Sequence, residues 1–319
     1  RTDSKIHVHH FHEWCRMLLN EKNIKVGDKL PFNEFVEKSV ARTKQAVEQG
    51  ELETGRYAAI LIDEAHDFQP EWFSVVLPML ESEDANLLVL YDDAQSIYNK
   101  KTGLDFSFSS VGIKAQGRTT ILRTNYRNTA EILKAAKNIS QSTLKVSEPV
   151  GEDYAPTLNP DSVGRTGDIP ELYRFSCQDT EWNYIAERIA ELIAQGKSPN
   201  DIGVLVLSTR PVYCELVKKA FNAHQVPFII ADEKNKRNLY EGEASVKVLT
   251  MHSSKGLEFE HVFITGLNRF GEYSQLDDEQ RARLLYVAMT RAVEDLTLTY
   301  HQETPYTRQI QAAIQQAVY

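Results

Sequence analysis

Five apolar residues run without a break into two acids: Ala58-Ala59-Ile60-Leu61-Ile62 leads directly to Asp63-Glu64. A continuous apolar run of this length reads as a strand buried on both faces of a parallel sheet. In such sheets ligands sit beyond the carboxyl ends of the strands. Asp63 and Glu64 therefore stand where a bound ligand is expected. The plain alternative is a buried strand that ends in two solvated acids.

The same arrangement recurs along the chain. Asn86 to Tyr91 (NLLVLY) reads as a second buried strand, and Asp92-Asp93-Ala94-Gln95-Ser96-Ile97-Tyr98 follows it. Between the two, Pro70 to Leu80 reads as an amphipathic helix interrupted near Pro78. Upstream, Ile6-His7-Val8 reads as a short strand, and Phe11, Trp14, Met17 and Leu18 fall at helical spacing. Asn20 to Gly55 is polar and helix-prone, with turns at Gly27 and Pro31. From Thr119 on, strands and helices alternate: strands at 119–122, 171–175, 202–207, 228–231, 246–251, 262–265 and 296–300, and helices at 129–139, 181–195, 212–223 and 281–292. That alternation predicts a second parallel sheet covered by helices. Residues 141–168 hold three Pro and three Gly and read as a long surface loop.

Composition narrows the class. Hydrophobic residues make up 42% and charged residues 25%, as in ordinary soluble globular chains. No apolar run is long enough to span a bilayer. Three cysteines, Cys15, Cys177 and Cys214, are too few and too scattered for a disulfide framework or a zinc site. A reducing, cytoplasmic setting is the default expectation. Net charge is -9, so any nucleic-acid surface must be a local groove. The His7, His9, His10, His12 cluster lacks an acidic or Cys partner at ligand spacing, which argues against a metal there.

An apolar run followed by Asp-Glu is the Walker B pattern of phosphate-cleaving motors. Four more blocks follow LIDEAHDFQ (Leu61 to Gln69). They are DDAQSIY (Asp92 to Tyr98), NYRN (Asn125 to Asn128), TMHSSKGLEF (Thr250 to Phe259) and LLYVAMTRA (Leu284 to Ala292). In this order they resemble a superfamily 1 DNA helicase of the UvrD/Rep type, over nearly the whole chain. The resemblance implies an α/β fold of two RecA-like lobes with ATP in the cleft between them. It places residues 1–116 in the first lobe, incomplete here, and 117–319 in the second.

Site roles follow from the same resemblance. Asp63 would hold Mg²⁺, and Glu64 would orient or deprotonate the attacking water. Gln95 would sense the γ-phosphate. Arg127 and Arg291 would be arginine fingers, since a planar guanidinium spreads charge over phosphoryl oxygens. Tyr126 would stack on adenine and Glu258 would accept from the ribose hydroxyls. Thr250, His252 and Lys255 would face the nucleic-acid strand. Phe11 and His12 stand where the family has a Thr-Phe-His block, with His10 in place of Thr, so Phe11 would stack on a base. Phe11 as plain core is the competing reading. Tyr98 matches a family aromatic, but Lys100 stands where a second one is common.

One family part is absent from these residues. GELETGRY (Gly50 to Tyr57) and GIKAQGRT (Gly112 to Thr119) have the glycine spacing of a P-loop. Both carry Arg where the motif needs Lys, and both precede a strand instead of opening a helix. The family's P-loop lies upstream of the Ile6 region, so the chain reads as a piece of a longer protein that would be inactive alone. The resemblance implies a helicase or translocase moving 3′ to 5′ on single-stranded DNA or partial duplex, with a fused or associated nuclease left open. The competing reading is a non-catalytic nucleic-acid-binding or regulatory module that keeps the fold.

Overall fold

The computed structural model describes residues 6–27, 31–82, 84–90, 106–120, 124–141, 161–162, 164–232, 235, 238–272 and 276–317. Described residues up to Leu90, with 106–119, form one compact unit, and those from Thr120 on form another.

The first unit begins with α1 (Phe11–Glu21) and α2 (Phe32–Glu48), then β1 (Ala59–Ile62), α3 (Pro70–Val76) and β2 (Asn86–Val89). Pro31 precedes α2 and Pro70 opens α3, where a missing N–H and a preset φ cost nothing. Pro78 lies in a 3-10 turn (Leu77–Met79) that ends the α3 segment, as the sequence indicates. The two strands pair in parallel, with Leu61 opposite Leu88. One face, carrying Ile60, Ile62, Leu87 and Val89, packs on Phe73, Val76 and neighbouring side chains.

The other face differs from expectation. Leu61 is 61% exposed and Leu88 50% exposed, so β1 is not buried on both sides. The described helices of this unit cover a single face. The strand expected at Ile6-His7-Val8 does not form either. These residues are irregular and exposed, and no strand among the described residues pairs with them. Neither decoy glycine segment opens a helix: residues 50–57 run into β1 and residues 112–119 are turn and irregular chain.

The second unit contains β3 (Thr124–Asn125), α4 (Ala130–Gln141), β4 (Asp161–Ser162), β5 (Glu171–Arg174), α5 (Gln178–Ala194) and β6 (Ile202–Val206). It continues with α6 (Pro211–Ala223), β7 (Phe228–Ile230), β8 (Val246–Thr250), β9 (Phe259–Ile264), α7 (Asp278–Met289), β10 (Ala292–Tyr300) and α8 (Pro305–Gln315). Six strands form one sheet in the order β5-β10-β9-β6-β8-β7. Every described pairing in it is parallel. This is the helix-covered α/β sheet expected of a RecA-like lobe.

Burial in this sheet follows the period of two. Ile202, Val204, Val206, Val246 and Val248 face the core beneath α5 and α6. Leu205, Leu249, Phe259, Ile264 and Leu298 face the core beneath α4, α7 and α8. The strand expected at 119–122 is not seen: Thr119 and Thr120 are irregular, and 121–123 lie outside the described residues. The helix α8 was not expected from the sequence. Its start is legible afterwards, because Thr304 caps it with a bond from the Thr307 amide at 3.2 Å and Pro305 takes the first position.

Gly203 is the second residue of β6 and lies against the Phe259 ring. A Cβ there would meet Phe259 Cδ2 at 2.5 Å and two further ring carbons at 2.8 Å. Gly203→Ala is expected to destabilise this unit by about 1–3 kcal/mol through overpacking. Adding Phe259→Leu should recover part of the loss. Chemical denaturation of the single and double variants checks this, and additive losses would contradict it.

Candidate functional site

In the first unit, β1 delivers Asp63 and Glu64 to its carboxyl end as expected. Asp63 is exposed, and its Oδ1 accepts from the Glu64 amide at 3.0 Å. Glu64 has φ 53°, in the left-handed region that non-glycine residues seldom occupy. Such a conformation costs on the order of 1 kcal/mol and persists only where neighbours impose it. The neighbours are visible. The next amide, Ala65 N–H, donates to Leu90 O at 2.8 Å, and the buried His66 places Nε2 3.1 Å from Glu64 Oε2. His66 is a partner that the sequence reading missed; its position two residues after Glu64 was the available cue. Asp63 offers the hard carboxylate oxygen that Mg²⁺ takes together with phosphate and water.

Phe11 lies within an aromatic cluster. Its ring stacks on Trp72 with centroids 4.6 Å apart and meets Phe68 edge-on at 4.9 Å. His12 packs edge-on against the same Trp72 ring at 4.9 Å. Burial, followed by the charge of His10, lowers the pKa of His12 and favours the neutral imidazole. Gln95 and Tyr98 lie outside the described residues.

In the second unit, three sequence blocks converge at the amino-terminal edge of β9 and β10. Arg127 Nε is 2.8 Å from Glu258 Oε2, with both side chains partly exposed. Tyr126, beside Arg127, is 72% exposed. The two asparagines that flank them turn inward. Asn125 Oδ1 accepts from the Arg127 and Asn128 amides at 2.8 and 3.0 Å. Asn125 Nδ2 donates to Asn128 Oδ1 at 2.8 Å. Asn128, 1% exposed, donates through Nδ2 to Thr290 O at 2.9 Å and to Ala292 O at 2.6 Å.

Arg291 sits between those two carbonyl residues and is 1% exposed. Its Nε donates to Val287 O at 3.0 Å and its Nη1 to Leu257 O at 3.2 Å. Its carbonyl accepts from the Phe259 amide at 3.0 Å. Arg291 thus holds the residues on both sides of Glu258, from inside the unit.

The remaining candidates lie at the carboxyl end of β8. Thr250 Oγ1 accepts from the Ser253 amide at 3.1 Å and closes a short 3-10 turn, His252–Ser254. Gly256 then takes φ 80°, which turns the chain back toward Glu258. Burial lowers the pKa of His252, so its ring offers neutral hydrogen-bonding nitrogens instead of charge. Lys255 supplies the positive charge of this loop.

Comparison with known proteins places the chain in a family. Residues 120–241 and 232–303, together more than half of the chain, match the family model of the UvrD-like helicase C-terminal domain. The chain is 45% identical over 71 residues to DNA helicase II of Escherichia coli, covering 19% of this chain and 10% of that protein. It is 24% identical over 225 residues to the ATP-dependent DNA helicase UvrD1 of Mycobacterium leprae, covering 64% and 26%. It is 35% identical over 81 residues to the ATP-dependent DNA helicase Rep of Salmonella typhimurium, covering 24% and 12%. The chain thus spans between a tenth and about a quarter of the length of these relatives. A solved C-terminal domain of a possible DNA helicase from Lactobacillus plantarum has a TM-score of 0.42 at 21% identity, over 60% of this chain and 96% of that one.

The hydrogen bonds separate scaffold from contact residues. Asn128→Ala leaves two carbonyls inside the unit without their side-chain donor and should cost about 2–4 kcal/mol of stability. Tyr126→Ala should stay within about 0.5 kcal/mol of the parent. Equilibrium unfolding in urea checks both, and a stable Asn128→Ala would refute the scaffold role.

Proposed function

The chain belongs to the UvrD-like helicase family, and from that premise we propose that it is the motor portion of an ATP-dependent DNA helicase or translocase. Its substrate would be single-stranded DNA or partial duplex, traversed 3′ to 5′. The observation that carries this reading is the pairing of Arg127 with Glu258 on the edge that also holds Arg291. A partly exposed ion pair of this kind contributes at most about 1 kcal/mol. It is therefore easily exchanged for a better partner on each side. A nucleotide offers both: phosphoryl oxygens for the Arg127 guanidinium and ribose hydroxyls for the Glu258 carboxylate. Tyr126, exposed beside them, offers a ring face for adenine.

The remaining roles are those implied by the matching sequence blocks. Glu64, held by His66, orients or deprotonates the attacking water. Asp63 would hold Mg²⁺, which when bound neutralises charge on the phosphates. Gln95 reports the γ-phosphate. Arg291 acts mainly by positioning: its bonds to Val287 O and Leu257 O hold Glu258 in register with Arg127. The Thr250–Lys255 loop, which leaves the carboxyl end of β8, would meet phosphates of the nucleic acid through Thr250, His252 and Lys255. Phe11, His12 and Tyr98 would supply the matching contacts from the first unit. Nucleotide-driven closure and reopening of the two lobes would then advance the strand by one step per cycle.

The test uses a polypeptide that also carries a GxxxxGK[ST] phosphate loop. Glu64→Gln should keep ATP binding and lose most turnover. Arg127→Ala should slow DNA-stimulated hydrolysis by about 10³ or more while leaving nucleotide-free DNA affinity unchanged. Lys255→Ala should weaken DNA binding and flatten its salt dependence by about one unit of slope. Phosphate release and fluorescence titration of a labelled single strand at several salt concentrations separate these effects. Equal loss of DNA affinity in Arg127→Ala and Lys255→Ala would sink the two-face assignment.

A further inference from the structure

A second polar cluster lies on the same strands, a few residues beyond Glu258 and Arg291. Glu260 and His261 open β9, and Glu294 and Asp295 lie in β10. One donor atom from each of Glu260, His261 and Glu294 lies within 4.8 Å of the other two. The backbone here is irregular. Ala292 pairs with Phe259 and Asp295 with His261, so β10 carries one extra residue in this interval. Bulges of this kind re-aim side chains and recur beside functional sites.

His261 is the group that ordinary packing does not explain. It is 3% exposed, and its Nε2 has no hydrogen-bond partner among the described residues. Its other nitrogen, Nδ1, is 2.7 Å from Asp295 Oδ2. A carboxylate oxygen accepts, so Nδ1 donates to Asp295, and Nε2 is left as the ring's other ligand position. The nearest carboxylate oxygen, Glu260 Oε2, is 4.0 Å from Nε2, too far for a hydrogen bond and suited to a shared third atom. A carboxylate that holds one imidazole nitrogen while the other faces a ligand position is the usual support of a metal-binding histidine.

A cation already occupies part of this space. Lys197 Nζ lies 3.2 Å from Glu260 Oε2 and 3.1 Å from Glu294 Oε2. The ammonium bonds both carboxylates, yet His261 Nε2 is left without a partner among the described residues. A divalent ion would satisfy all three groups, and its charge would balance the two carboxylates. We propose that Glu260, His261 and Glu294 form a site for one first-row divalent cation of the Zn²⁺ or Mn²⁺ class, with Asp295 orienting His261 and Lys197 competing for the carboxylates. One imidazole with two carboxylates selects this class over Ca²⁺ or Mg²⁺, which prefer all-oxygen shells.

The site bears on the neighbouring edge. Arg165 Nη2 is 3.9 Å from Glu294 Oε1, and its Nη1 donates to Arg127 O at 3.4 Å. A cation that draws Glu294 inward changes one neighbour of the arginine that supports Arg127. The proposal stands independently of the motor reading, because it rests on different side chains.

The test is titration of the full chain with Zn²⁺ by calorimetry and with Co²⁺ by visible absorption. The exposed histidines near the amino terminus are first removed as His7→Ala, His9→Ala and His10→Ala, so that they do not add a second binding event. One equivalent is expected, with the Co²⁺ band of an imidazole-containing site. Glu260→Gln and Glu294→Gln, both at partly exposed positions, should each weaken binding by about 10-fold or more while thermal unfolding shows an intact fold. Lys197→Met should tighten binding severalfold, which a purely structural ion pair would not do. The proposal is overturned by no saturable uptake in either the starting chain or Lys197→Met, or by unchanged affinity in both Gln variants.

Discussion

The second unit depends on one buried amide. Asn128 Nδ2 donates to two main-chain carbonyls that lie 162 and 164 residues downstream, at the junction of α7 and β10. Without that donor both carbonyls would face a water-poor interior, and each would carry a desolvation penalty of about 1–3 kcal/mol. The consequence extends beyond stability. The two carbonyls belong to Thr290 and Ala292, so the amide clamps the residues on either side of Arg291. Arg291 in turn holds Leu257 O by its side chain and Phe259 N–H by its carbonyl. Glu258 lies between them. A chain of hydrogen bonds thus converts three blocks, distant in sequence, into one edge on which Arg127 and Glu258 meet.

Much of the fold was legible, for a physical reason. In β6, β8 and β9 nearly every residue is buried, because a parallel sheet covered by helices leaves no wet face. Apolar runs mark β6 and most of β8, whereas Glu260 and His261 hide the start of β9, which opens three residues before the expected 262. The same rule misled at β1 and β2. Their runs are equally apolar, yet Leu61 and Leu88 face solvent in this structure. A run records what a strand can bury, and the described helices of the first unit cover one face only. Ile6-His7-Val8 failed for a related reason: three residues of suitable type make a strand only when a neighbour supplies hydrogen bonds. The α8 helix escaped notice because its apolar positions are separated by glutamines, although its Thr-Pro start was readable.

At the site, residue types were legible but their division of labour was not. NYRN contains four polar or aromatic residues of similar apparent weight. Folding sends Asn125 and Asn128 inward as hydrogen-bonding scaffold and leaves Tyr126 and Arg127 outside. Nothing in the four letters states which amide will find carbonyls 160 residues away. TRA holds the same lesson. Arg291 was read as a group reaching outward, and in this unit its guanidinium binds carbonyls of its own α7 and of the segment before β9. The Glu64 segment shows the converse. Its acids were legible at once, whereas the left-handed backbone at Glu64 and the buried His66 that faces it emerge only from the fold.

The opposite end of β9 and β10 has a tie of its own, which the sequence reading did not single out. Glu181, fully buried at the start of α5, accepts on Oε1 from Thr265 and Thr299 hydroxyls, each at 2.7 Å, and lies 2.6 Å from His301 Nδ1 through Oε2. A buried carboxylate is tolerable only when its oxygens are satisfied, and this one is, by groups on both strands. The two central strands are therefore joined at one end by Asn128 and Arg291 and at the other by Glu181. Sliding β9 against β10 would break polar contacts at both ends at once, with no water to replace them. The low-cost motions of this unit are then rigid-body movements of the whole sheet and side-chain exchanges at its exposed rim, where Arg127 and Glu258 pair. A site whose partners exchange on a stiff edge can register a ligand without deforming the core.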